Sequence, residues 1–239
     1  MGYYGGYGYY GFDWTYLLVL IGVVLSMAAS AKVNGTFQRY SGVWSRSGLT
    51  GAEAARRILQ SQGIYDVTVR QVPGNLTDHY DPRTKTVNLS EPVYGSTSIS
   101  AIGVAAHECG HVIQDATSYA PLRIRAALVP VANFGSRLSW PLIILGVIIG
   151  GLGSPMVEIG ILMFSLAVLF QLVTLPVEFN ASSRALKILA GSQMLANDEV
   201  GKARQVLGSA ALTYVAAAAA SILQLLRLVI LFGGRRRND

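Results

Sequence analysis

Long apolar runs alternate with polar stretches along this chain, and the apolar runs set its first-order organisation. Trp14 to Ala31, Leu138 to Leu152 and Ile159 to Val177 approach or reach the ~20 residues that cross a hydrocarbon core. A fourth run, Ser209 to Phe232, is alanine-rich in its first half and carries Gln224 and Arg227. It is the weakest of the four, either a span or a long helix only partly in lipid. The pattern predicts a first transmembrane helix over 14–33, a transmembrane hairpin over 138–177 and a further hydrophobic helix over 208–232, hence a mainly α membrane protein with three or four spans. Residues 1–13 form a Tyr/Gly-rich leader, expected to be a loose tail with its rings at the lipid interface. Ala29-Ser30-Ala31 looks like a signal-peptide cleavage site. No Lys or Arg precedes the run, however, so an uncleaved anchor is expected.

The roughly one hundred residues between the first and second spans suffice for a small folded domain. In "SGLTGAEAARRILQSQG", Thr50 and Glu53 form a capping box, Ala54, Ile58 and Leu59 an apolar stripe, and Gly63 a stop, which predicts a helix. "YDVTVRQV" alternates like a half-buried strand, and a second strand is expected from Lys85 to Ser90 after a turn at Asp81-Pro82. Ser98 or Ser100 should cap a helix reaching about Ala116. "YAPLRIRAALVPVANFGSRLSW" then reads as a basic amphipathic helix, with Pro121 near its start and Pro130 a kink.

Composition narrows the class. With 51% hydrophobic and 13% charged residues, the chain carries too few charges for a soluble globule of its size. The single cysteine, Cys109, excludes an internal disulfide and a Cys-rich metal site. The net charge of +6 lies in no stripe interleaved with aromatics, so nucleic acid is not an expected partner. Basic residues fill the large loop and the 178–207 segment, while the short link "GSPMVE" has none. By the positive-inside rule both polar segments face the cytoplasm. The tail at 233–239, "GGRRRND", conflicts with this if the fourth run crosses fully. Either that run is re-entrant or the orientation is reversed, and the sequence leaves both open.

The chemistry concentrates in "AAHECGHVIQ". On a helix, His107 and His111 stand one turn apart, near enough for both imidazoles to reach one metal at about 2.0–2.1 Å. Glu108 is rotated off that ligand direction, where a general base beside a metal-bound water is needed. The competing reading is two structural histidines on a buried face. Cys109 points away and Gly110 permits close packing. A third ligand must come from elsewhere. The pattern with a later histidine fails, since Gln114 and Thr117 stand where it needs glycine and histidine. Glu178, directly after the third run, emerges on the same membrane face as the residues preceding the second, and so can meet the histidines. Its bland alternative is a helix-start glutamate. His79 is the rival as the only other histidine, and is also a candidate pocket residue.

"AIGVAAHECGHVIQ", "LTDHYDP" and "PVEFNASSRA", in this order around a hydrophobic hairpin, resemble the bacterial YugP family of membrane neutral zinc metallopeptidases. The likeness runs from about Thr50 to Leu226. The layout is also similar to the wider gluzincin-like membrane proteases of the HtpX and CAAX-prenyl type. The resemblance implies a small α+β, zincin-like metalloprotease domain over 34–137, between the first and second spans. It also implies a zinc-dependent endopeptidase with one Zn2+ ion on His107, His111 and Glu178, and Glu108 as base. Ser182 stands where the wider pattern has aspartate, which leaves the orienting of a ligand histidine to Asp115 or Asn180. His79, Tyr80 and Arg184 are candidate donors to the developing oxyanion. A polypeptide substrate, extended along the strand "KTVNLS", and the lipid bilayer are the expected partners. Two further readings are an intramembrane protease of the site-2 type, with the metal helix in lipid, and an inactive membrane scaffold that keeps the zinc site.

Overall fold

The computed structural model describes residues 13–233, so the expectations for the leader and for the basic tail lie almost wholly outside the described residues. Ten elements follow in order. They are α1 (Tyr16–Ser41), α2 (Gly51–Ser61), β1 (Thr68–Val72), β2 (His79–Asp81), β3 (Thr86–Ser90), α3 (Glu91–Tyr94), α4 (Ile99–Ala116), α5 (Ala120–Gly150), α6 (Pro155–Gly191) and α7 (Asn197–Gly233). Four of them, α1, α5, α6 and α7, are long and apolar enough to cross a membrane.

The aqueous part follows its local signals closely. Thr50 Oγ1 accepts from the Glu53 amide and Glu53 Oε2 accepts from the Thr50 amide, so the capping box satisfies two donors that the start of α2 would otherwise leave orphaned. Ser98 caps α4 by accepting from Ala101. Ile58, Val87, Leu89, Ile99 and Ile102 are fully buried and join α2, the sheet and α4 in one core.

The sheet differs from expectation in one respect that matters for the site. A third strand, β2, pairs antiparallel with β3, while β1 pairs parallel with β3 on its other side. The order is β1-β3-β2. The strand "KTVNLS" is therefore central, both its edges are occupied, and it cannot accept a substrate strand. Three residues after Asp78 were too few to carry a period-2 signal, which is why β2 was not legible.

The membrane helices are also longer than their apolar runs. The basic amphipathic stretch and the second run are one helix, α5, continuous through Pro130 and Pro141. The third run continues without a break past Glu178 to Gly191, so Glu178 is mid-helix, not at a helix start. Helices α6 and α7 each extend about 55 Å, against about 30 Å of hydrocarbon. Their surplus stands outside the lipid, and there α4 packs against both. Within the bundle, α5 packs on α6 and α1 on α7. Small residues set these distances. A Cβ at Gly160 would lie 2.9 Å from the Ser139 carbonyl oxygen of α5, so the hairpin closes with backbones nearly touching.

Candidate metal centre

Helix α4 is buried almost throughout, and its two histidines share one face. Their ring centroids are 4.8 Å apart, edge to face. Opposite them, α6 presents Glu178, which is 2% exposed. Its Oε2 lies 3.3 Å from His107 Nε2 and 3.6 Å from His111 Nε2. The close approach has a cause between the two histidines. A Cβ at Gly110 would lie 2.5 Å from the Ala181 carbonyl oxygen, one turn beyond Glu178, so only glycine lets α6 come this near.

Hydrogen bonds assign the tautomer of His111. Gln114 Nε2 donates to the Val177 carbonyl at 2.7 Å and to Asn180 Oδ1 at 3.0 Å. A backbone carbonyl only accepts, so the amide is oriented with its oxygen toward His111 Nδ1, 3.0 Å away. Nδ1 must then carry the proton, and Nε2 turns an open lone pair toward Glu178. His107 Nδ1 is held in parallel by Ser182 Oγ at 3.1 Å.

Glu178 Oε2 is thus a buried oxygen without a hydrogen-bond partner among the described residues, facing the Nε2 atoms of both imidazoles. With His107 in the same tautomer as His111, three acceptors would turn inward and repel one another unless a cation lay between them. With Glu178 Oε2 at 3.3 and 3.6 Å from the two imidazole nitrogens and all three ligand atoms within 4.8 Å of one another, one small cation could reach all three. His107, His111 and Glu178 are a group able to hold a metal ion. Burial disfavours a charged His111, but Glu178 and Glu108 outweigh it and hold the imidazole pKa above the ordinary histidine value.

The three side chains open into a cavity of about 460 Å³ that Glu108 also lines, itself 7% exposed. His79 and Tyr80 of β2 form part of its wall. His79 is not a free ligand. Its Nδ1 donates to the Thr77 carbonyl at 2.8 Å, so its Nε2 accepts from Asn88 Nδ2 at 3.2 Å. Tyr80 donates to Asp115 Oδ2 at 2.9 Å, and burial together with that carboxylate pushes the phenol pKa up. Asp115 therefore anchors Tyr80, while Ser182 and Gln114 are what touch His107 and His111. Asn180 acts one bond further back, accepting from Gln114 and from Arg184 Nε at 2.8 Å.

Arg184 does not line the cavity. A six-residue step from Glu178 turns about 240° around the helix, and the guanidinium sits over the Tyr119 ring instead. Several cavity residues were not singled out from the sequence, Arg123, Arg125 and Tyr214 among them. Arg125 of α5 approaches Glu178 Oε1 at 3.5 Å, and Tyr214 of α7 lines the cavity. A phenol isolated in an apolar run was the available signal for Tyr214. Cys109 is fully buried in the core with its thiol against the Ala55 carbonyl, and burial raises its pKa, which leaves it inert.

Comparison with known proteins agrees with this geometry. The family model described as "Putative neutral zinc metallopeptidase" matches residues 15–233, nearly the whole chain. "Putative membrane protease YugP" of Bacillus subtilis (strain 168) is 50% identical over 222 residues, covering 92% of this chain and 98% of that protein. No solved structure matches. The chain belongs to this zinc metallopeptidase family.

Proposed function

We propose that this family member is a multi-pass membrane endopeptidase, with residues 34–137 as its peptidase domain and a zinc ion held by His107, His111 and Glu178. The observation that carries the reading is the buried, unpartnered Glu178 oxygen facing the Nε2 atoms of two imidazoles. A zinc ion in that position supplies Lewis acidity and lowers the pKa of water toward 7. Glu108, on the helix turn beside the ligands, takes the proton from the attacking water and passes it to the leaving amine. Ser182 and Gln114 keep the imidazoles in register, so that both ligand nitrogens converge on one point.

The scissile carbonyl needs a donor as charge develops on its oxygen. Of the three candidates from the sequence, Arg184 is turned away, and His79 and Tyr80 have committed their protons to Thr77 and Asp115. Arg125 and Tyr214 are better placed, since both line the cavity beside Glu178. An extended polypeptide would align along β2, the strand that lines the cavity and has only β3 for a neighbour. The distribution of basic residues favours a site on the cytoplasmic face. Helix α4 is not one of the four candidate spans and is packed between α2, α6 and α7, which disfavours an intramembrane mode.

Metal analysis and peptidase assay of full-length protein test this together. Wild type and Glu108→Gln should each carry about one zinc per chain, while Glu178→Ala should lose it. Hydrolysis of an unfolded protein substrate such as fluorescent casein should fall by about 10²–10⁴-fold in Glu108→Gln. Unchanged hydrolysis by zinc-loaded Glu108→Gln would mean that Glu108 is not the base, whereas zinc-loaded wild type without hydrolysis would leave only the scaffold reading.

A further inference from the structure

Outside the metal centre, a cleft of about 520 Å³ lies between α6 and α7, about a quarter-turn around α6 from Glu178. Its wall on α6 is the stripe Phe179, Ser182, Leu186 and Lys187, and its wall on α7 is Arg204, Leu207, Gly208 and Ala211. Helices in contact normally fill such a space with interdigitated side chains. Here Gly208 and Ala211 leave it open, and a Cβ added at Gly208 would touch nothing within 4 Å.

The cleft is polarised along the membrane normal. Phe179 directly follows Glu178 at the end of one apolar run, and Ala211 lies at the start of another, so this end borders the acyl chains. Phe179 is 49% exposed there. Lys187 lies about 12 Å further along α6, and Arg204 about 10 Å back along α7. Their side chains can reach back toward the interfacial layer, which is about 5–8 Å thick. Both are exposed, neither makes an ion pair with any described residue, and no acidic side chain lines the cleft.

We infer that this cleft binds an anionic phospholipid. The phosphate sits between Lys187 and Arg204, and an acyl chain lies over Phe179, Leu207 and the gap at Gly208. The apolar floor without the cations would suit any lipid, and the cations without the floor would suit any phosphate. The two together, at these depths, select a lipid with a negative headgroup. The site shares Ser182 with the metal centre, so one helix separates lipid from the His107 imidazole. The inference does not depend on peptide hydrolysis.

The test uses full-length protein in nanodiscs of equal parts dioleoylphosphatidylglycerol and dioleoylphosphatidylcholine, with retained lipid counted by native mass spectrometry. Wild type should retain phosphatidylglycerol in preference to phosphatidylcholine by at least about tenfold. Lys187→Gln with Arg204→Gln should reduce that preference to near unity. Lys32→Gln with Arg39→Gln removes the same charge from the exposed end of α1 and should leave the preference intact. Gly208→Leu fills the open gap, gains helix propensity and leaves both cations in place, and should cut retention of both lipids. No preference in wild type, a preference that survives the Lys187/Arg204 change, or equal loss in the Lys32/Arg39 control would each overturn the assignment. Unchanged retention in Gly208→Leu would reduce it to surface contact with headgroups.

Discussion

Ile102 in α4 and Ile148 in α5 are the same residue in helices of similar apolarity, yet one is fully buried and the other 73% exposed. The difference runs through the whole molecule. The region containing α2, the sheet and α4 has its apolar side chains in a protein core, whereas α1 and the distal part of α5 turn theirs outward. Outward-facing isoleucine, leucine and valine on that scale are unstable against water but unremarkable against hydrocarbon. The first region is therefore stabilised by packing within itself, and the second by its solvent. The metal centre is built where they meet. The aqueous region supplies His107, Glu108 and His111 on one rigid helix. The membrane helices supply Glu178, Arg125 and Tyr214.

Substitution of the two isoleucines separates these regimes most sharply. Ile102→Ala should cost about 2–5 kcal/mol through lost burial and an unfilled cavity. Ile148→Ala should change stability in a bilayer by less than about 0.5 kcal/mol. Thermal unfolding of both in nanodiscs checks this, and equal losses would mean that α5 is covered by protein. A smaller effect addresses the seam. Gly110→Ala drives a methyl group into the Ala181 carbonyl, and should cost about 1–3 kcal/mol and loosen zinc, because Glu178 must retreat with α6.

The finest effect concerns the network alone. Gln114→Leu keeps bulk at a fully buried position but frees His111 to rotate and change tautomer. Zinc affinity should fall about 10–100-fold by competition titration with a chelator, with α4 helicity unchanged. The pH dependence has a definite sign as well. The His111 pKa is raised, and zinc needs the neutral imidazole, so protons compete with the metal from above the usual histidine range downward. Zinc affinity should fall as pH is lowered through that range, with proton release on binding. Calorimetry in buffers of different ionisation enthalpy measures this.

Local signals carried much of this architecture by themselves. The spacing of His107, Glu108 and His111 specifies a shared helix face, because 3.6 residues per turn leaves little freedom. The Thr50–Glu53 box and the Ser98 cap are short-range hydrogen bonds, and four apolar runs report their solvent directly. Glu178 could be reached by reasoning about a hairpin that returns the chain to the same membrane face. Other features required the tertiary structure. Ser182 and Gln114 act on the imidazoles only because Gly110 lets two helices touch, β2 exists only because β3 offers it an edge, and Arg125 and Tyr214 reach the cavity from helices far apart in sequence. Each of these depends on the distance and rotation between elements, which side-chain packing sets and no periodicity along the chain encodes.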